Sequence, residues 1–199
     1  MILWTIQSEN AWQDLIKNGY LSGTKADVSD EIWDMAYCWM TGQMKKRLGS
    51  RPNAECFPIW AWYQWRGAKR RRPDLRAGGH LAKHETGVRI EFECSENAAL
   101  LSDFELWHYV LNYWYLPQSV SDDEAFESEL ANKELSFFTT KPLPDQEYHE
   151  KIVHSWERIF DLNWFQSGLS APRDQKSIQA TIWQVKLEQV RNHTFFKSR

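Results

Sequence analysis

The chain has 199 residues, a formal net charge of −3, and 12 Trp, 10 Phe and 7 Tyr. The aromatic content argues against disorder, and the slightly acidic balance argues against a protein that binds polyanions over its whole surface. Three cysteines (Cys38, Cys56 and Cys94) with no CxxC spacing argue against a disulfide framework and a zinc site. The length suits one domain over residues 1–199 with a sizeable core. No charged segment leads into an apolar stretch and no apolar run reaches membrane-spanning length, so no membrane association, a cytoplasmic location and reduced thiols are expected.

Residues 1–7 (MILWTIQ) predict a buried first strand. Ser8 is placed to cap a helix whose inward face carries Trp12, Leu15 and Ile16, and Gly19 to end it. Ser29 is placed to cap a second helix, in which Ile32, Ala36, Met40 and Met44 recur at helical spacing before Gly49. Residues 50–58 read as a linker. Residues 59–65 (IWAWYQW) read as a strand with large rings on both faces: Trp60, Trp62 and Gln64 on one, Ile59, Ala61, Tyr63 and Trp65 on the other. A basic run follows, with Arg66, Lys69, Arg70, Arg71, Arg72 and Arg76 against a single acid in residues 66–76.

Residues 77–87 hold three glycines and predict a mobile loop. His80 and His84 stand four apart, but no third ligand accompanies them and no metal site is assigned. Residues 88–94 (VRIEFEC) alternate, with Val88, Ile90, Phe92 and Cys94 inward and Arg89, Glu91 and Glu93 outward, as in a half-buried antiparallel strand. Ser102 with Glu105 predicts a capping box for a helix ending before Pro117, and Ser121 with Glu124 one for an acidic surface helix. Tyr148, Ile152, Trp156 and Ile159 predict one face of a further helix. Residues 166–177 read as a flexible loop, residues 178–190 as one last long strand, and the final residues as a short tail. The sum is an α+β fold with a curved antiparallel or mixed sheet and flanking helices.

The motifs of dinucleotide-binding, P-loop, zincin and α/β-hydrolase enzymes are absent. What remains is the aromatic strand leading into the basic run. Arginine gives bidentate phosphate contacts and aromatic rings stack bases, so residues 60–76 suit single-stranded nucleic acid or a nucleotide. On this reading Lys69, Arg70, Arg71 and Arg72 contact nucleic acid. The acidic stretch at 122–134 offers a second surface, for a protein partner.

The stretches MILWTIQ, PIWAWYQW, LLSDFELWHYVLN, SWERIF and QATIWQVKLEQV together resemble an uncharacterised bacterial family of domains of unknown function, of about this length. The opening LWTIQ…LIKNGYLSG also looks like the start of ADP-ribosyltransferase-fold proteins. That second resemblance implies a split, two-sheet α+β fold holding NAD as substrate, and transfer of ADP-ribose to a macromolecule. RNA, DNA or a protein is the implied acceptor, and the implied setting is a toxin with an antitoxin partner. The family's first motif position falls near Trp4 and Thr5, its aromatic second position at Tyr63 and its third near Gln179. Under this resemblance Trp4, Thr5, Gln7, Trp62 and Trp65 surround the nucleotide, and Arg66 or Arg76 holds the pyrophosphate. Gln179 and Glu157 face the reacting ribose. Glutamine bonds a ribose hydroxyl but stabilises no cation by charge, which is why Glu157 is added as a carboxylate.

Overall fold

The computed structural model describes residues 1–24, 31–54 and 56–199. Their fold is α+β, built on a six-stranded sheet whose pairings are all antiparallel. In chain order the elements are β1 (Ile2–Ser8), α1 (Glu9–Asn18), β2 (Tyr20–Ser22), α2 (Glu31–Leu48), β3 (Ile59–Gln64), β4 (Thr86–Glu93) and β5 (Leu100–Asp103). They continue with α3 (Phe104–Leu111), α4 (Val120–Asn132), α5 (Gln146–Ser155), β6 (Ile178–Ile182), β7 (Gln184–Lys186) and β8 (Val190–Lys197). The sheet order is β5-β6-β3-β1-β4-β8, and β2 pairs with β7 in a separate two-stranded ribbon.

Alternation along the strands divides the side chains between two cores. One sheet face carries Leu3, Ile59, Ala61, Val88, Ile90, Phe92, Ala180 and Ile182, and buries them against Trp12 and Leu15 of α1 and against Leu21 and Val185 of the ribbon. Among the described residues, helices cover the opposite face at its β5-β6-β3 end. There Trp60 meets Trp107 of α3 at 5.0 Å and Tyr37 of α2 at 6.1 Å, and α4 and α5 extend the same core through Phe126, Leu130, Tyr148 and Ile152. Over its β1-β4 part lie residues 65–76 instead of a helix.

Several local signals act as expected. Ser8 accepts a hydrogen bond from the Ala11 N–H and caps α1, which ends at Gly19 with φ +78°. The expected cap at Ser29 lies outside the described residues. Elsewhere a neighbouring residue takes the capping role. Asp103, not Ser102, caps α3 by accepting from the Glu105 and Leu106 N–H groups, and Ser119, not Ser121, caps α4. The helix expected through Ile159 turns 3₁₀ after Ser155.

The largest departure is at the C-terminal end. Residues 178–190 do not form one strand. Trp183, buried with its indole N–H donating to the Gly49 carbonyl at 3.2 Å, breaks the run after β6. The chain then crosses to the ribbon as β7 and returns to the main sheet as β8, so the residues expected as a tail form an edge strand along β4. The strands β2 and β5, three and four residues long, were not expected at all.

The loop at 166–177 is fastened, not free. Lys176, 2% exposed, places its ammonium 2.8 Å from Asp103 Oδ2, 2.9 Å from the Trp164 carbonyl and 2.9 Å from Ser170 Oγ. A buried ammonium with three acceptors is fully satisfied, and it ties this loop to the start of α3.

Candidate functional site

One cross-sheet row runs the width of this face. Register places Ser102, Gln179, Trp62, Trp4, Glu91 and Asn192 side by side across six strands. Over the Trp4–Glu91 half of this row, residues 65–76 fold back as a loop and enclose a cleft of about 860 Å³. Its floor is Trp4, Arg89 and Glu91, and its wall carries Trp65, Arg66, Lys69, Arg70, Arg71, Arg72, Asp74 and Arg76.

The loop holds its shape through the backbone. The Trp65 N–H donates to the Arg71 carbonyl and the Arg66 N–H to the Arg70 carbonyl, forming a narrow hairpin. Gly67 and Ala68 donate to the Lys176 and Asp174 carbonyls, and Gln64 Nε2 donates to the Arg173 and Lys176 carbonyls. Gly67 sits at φ +80°, and a Cβ there would lie 2.9 Å from the Asp174 carbonyl oxygen, so the turn needs glycine. From the other side, Arg89 donates to the Pro73 carbonyl at 2.8 Å.

The aromatic side chains serve the cations. The Arg71 guanidinium lies 4.5 Å from the Tyr63 ring and 5.7 Å from the Trp4 ring, and its Nε donates to the Tyr63 carbonyl at 3.1 Å. The Arg66 guanidinium lies 4.4 Å over the Trp65 ring. These contacts orient the guanidinium planes and leave their remaining N–H edges for a ligand. The expectation that Trp62 or Trp65 stacks a base meets an obstacle, because Trp65 already carries Arg66 and Trp62 packs against Phe104 at 5.1 Å, outside the cleft lining.

The charges are strongly one-sided: seven cationic side chains against the carboxylates of Asp74 and Glu91. Asp74 is already neutralised. Its carboxylate receives hydrogen bonds from the Arg76 side chain at 2.7–3.2 Å and from the Arg76 N–H, which hold its carboxyl well below the usual range. Arg76 is thereby committed to Asp74. Arg89 titrates below an ordinary arginine because of burial and then the nearby Arg72 charge. Among the described residues, the side chains of Lys69, Arg70 and Arg72 form no hydrogen bond or ion pair, and all three are exposed on the rim.

The other expected site residues fall in three places. Trp4 lies on the cleft floor, but its neighbours Thr5 and Gln7 point to the opposite sheet face, since side chains alternate along β1. Gln7 donates to Thr5 Oγ1, and Thr5 donates to the Trp60 carbonyl, so both are used inside the fold. Gln179 shares the Trp4 row but stands two strands away, beyond Trp62. Among the described residues, its Oε1 and the Oγ of the adjacent, fully buried Ser102 have no hydrogen-bond partner. Glu157 does not join them. It sits in a separate pocket of about 720 Å³ with Trp39, His149 and His154. There it pairs with Lys46 at 3.3 Å and Arg47 at 3.9 Å. Burial raises the Glu157 carboxyl's pKa, but these cations outweigh it and hold the group below its ordinary value.

Sequence reasoning did not assign Arg89, Glu91 or Asp74 to a site. The alternation of residues 88–94 did mark Arg89 and Glu91 as outward-facing. Their place in a cleft depends on the loop that covers them, which strand periodicity does not report. Among the described residues, no group of three or more His, Cys, Asp or Glu is placed to hold a metal, and no helix is long and apolar enough to cross a membrane.

No curated protein and no solved structure matches the chain. Residues 2–191 match a family described as a domain of unknown function (DUF3841). That match spans nearly the whole chain, including every strand pair that builds the cleft, and the chain therefore belongs to the DUF3841 family.

Proposed function

We propose that this protein binds the phosphates of a nucleotide in the cleft between β1, β4 and the loop at 65–76. The observation that carries the reading is the set of guanidinium groups held in place around one concavity. Arg71 is oriented by the Tyr63 carbonyl and two rings, Arg66 by Trp65, and Arg89 by the Pro73 carbonyl. Oriented guanidiniums bind phosphate through paired N–H bonds and lose little freedom on doing so. A cleft of about 860 Å³ suits a small nucleotide. The free rim cations Lys69, Arg70 and Arg72 suit the phosphodiesters of a single-stranded nucleic acid that continues out of it. Titration calorimetry with ATP tests the reading. Saturable binding that Arg71→Ala weakens supports it, and absence of binding by folded protein rejects it.

A second reading is ADP-ribosyl transfer from NAD to an RNA, DNA or protein acceptor, in an ADP-ribosyltransferase-like fold and as a toxin countered by an antitoxin. One observation favours it: Gln179, whose Oε1 has no hydrogen-bond partner among the described residues, lies in the same cross-sheet row as Trp4. Glu157 contributes nothing to this reading, because it is paired elsewhere. Nicotinamide release from NAD, measured with and without RNA and cell lysate, tests it. Release lost in Gln179→Ala supports transfer, and no release in any mixture leaves the nucleotide-binding reading alone.

A further inference from the structure

We infer that Glu91 makes the cleft selective for nucleotides with free sugar hydroxyls over bare phosphate chains: its carboxylate accepts a hydrogen bond from the hydroxyls beside the bound phosphates, which a chain without a sugar cannot supply to offset the like-charge repulsion. The inference rests on the phosphate-binding reading above and names the ligand class of that same site.

The two carboxylates in the cleft differ in kind. Asp74 is tied to Arg76 and presents no free charge to a ligand. Glu91 lies on the floor of a cleft with seven cations, yet among the described residues none of them forms an ion pair with it. Its hydrogen bond comes from the Trp4 indole, Nε1 to Oε2 at 2.8 Å. That bond fixes the carboxylate from one side and leaves Oε1 without a partner among the described residues. Trp4 is itself set by register, opposite Glu91 on β4 and opposite Trp62 on β3, so the acceptor is held by the sheet and not by a loop.

An ionised carboxylate only accepts hydrogen bonds. A phosphate chain offers it only like charge at neutral pH, so Glu91 opposes inorganic polyphosphate in the cleft. A nucleotide differs, because its sugar hydroxyls are donors directly attached to the phosphate-bearing unit. With the phosphates on Arg66, Arg71 and Arg89, the sugar is the first donor-bearing group a floor carboxylate meets. Acceptance of a ribose hydroxyl by a fixed acidic side chain is a recurring solution in nucleotide sites, and a charged acceptor makes the bond stronger than a neutral one.

The test compares ATP, 2′,3′-dideoxy-ATP and inorganic tripolyphosphate by titration calorimetry, using the wild-type chain and Glu91→Gln. The substitution keeps shape and an oxygen for the Trp4 indole, and near-ultraviolet circular dichroism verifies the fold. The expected result is about tenfold tighter binding of ATP than of dideoxy-ATP by wild type, the size of one charge-assisted hydrogen bond. In Glu91→Gln that preference falls to the smaller value a neutral amide supports, about twofold to threefold, and tripolyphosphate binds more tightly than to wild type. Equal binding of ATP and dideoxy-ATP by wild type overturns the inference and leaves the phosphate reading standing, since both share base and triphosphate. A failure of all three ligands to bind folded wild-type protein overturns both.

Discussion

Arg71 is the residue on which the cleft depends most. It is half-buried, bonded to the Tyr63 carbonyl and flanked by the Tyr63 and Trp4 rings, so its guanidinium is fixed before a ligand arrives. Arg71→Ala is expected to weaken ATP binding by about tenfold or more, the scale of a charge-assisted contact. Arg71→Lys is not expected to restore it, because an ammonium lacks the planar fork that the rings orient. Calorimetric affinities of the two variants check this, and full recovery in the lysine variant would show that charge alone matters. Lys176 carries a comparable dependence for stability. With its Asp103 partner almost fully buried, Lys176→Met leaves an unpaired carboxylate at the cap of α3. The expected loss of stability is about 3–5 kcal/mol by urea unfolding. A loss below about 1 kcal/mol would mean that the ion pair only offsets its own desolvation.

At the scale of elements, the loop at 65–76 is positioned by its neighbours rather than by its own cations. Gly67 makes the turn at φ +80° against the Asp174 carbonyl. Gly67→Ala is expected to cost roughly 1–2 kcal/mol of backbone strain and to displace the loop, so ATP affinity falls while far-ultraviolet circular dichroism stays unchanged. Unchanged affinity would show that the loop tolerates the shift. This dependence explains what was legible in the sequence and what was not. The strand at 59–64, the capped helix after Ser8 and the alternation of 88–94 follow from local periodicity and capping, and they appear in the structure. The basic run was also plain as a cluster. The sites of Arg89 and Glu91 were not, because outward on a strand means solvent or cleft according to a loop some twenty residues earlier in the chain. Thr5 and Gln7 were grouped with Trp4 by proximity in sequence, whereas alternation along β1 separates them. The break at Trp183 carried no glycine or proline to mark it, so a run rich in β-formers concealed a crossing between two sheets. Asp103 stood beside a Ser102–Glu105 capping pattern, and only the backbone geometry shows which residue caps.

For the whole molecule, the separation of charge matters more than its sum. The net charge of −3 conceals a cleft with a strong cationic excess, while the acidic α4 packs through Phe126 and Leu130 against the helical core. Such an arrangement draws an anionic ligand to one place without making the protein a general polyanion binder. Binding is therefore expected to be electrostatic and confined to the cleft. The most direct test is the salt dependence of affinity for a short single-stranded oligonucleotide, in wild type and in Arg70→Ala/Arg72→Ala. Affinity is expected to fall steeply as salt rises, on a logarithmic slope that becomes shallower by about one or two units when these two rim cations are removed. Binding that is indifferent to salt, or a slope unchanged by the double substitution, would contradict this expectation.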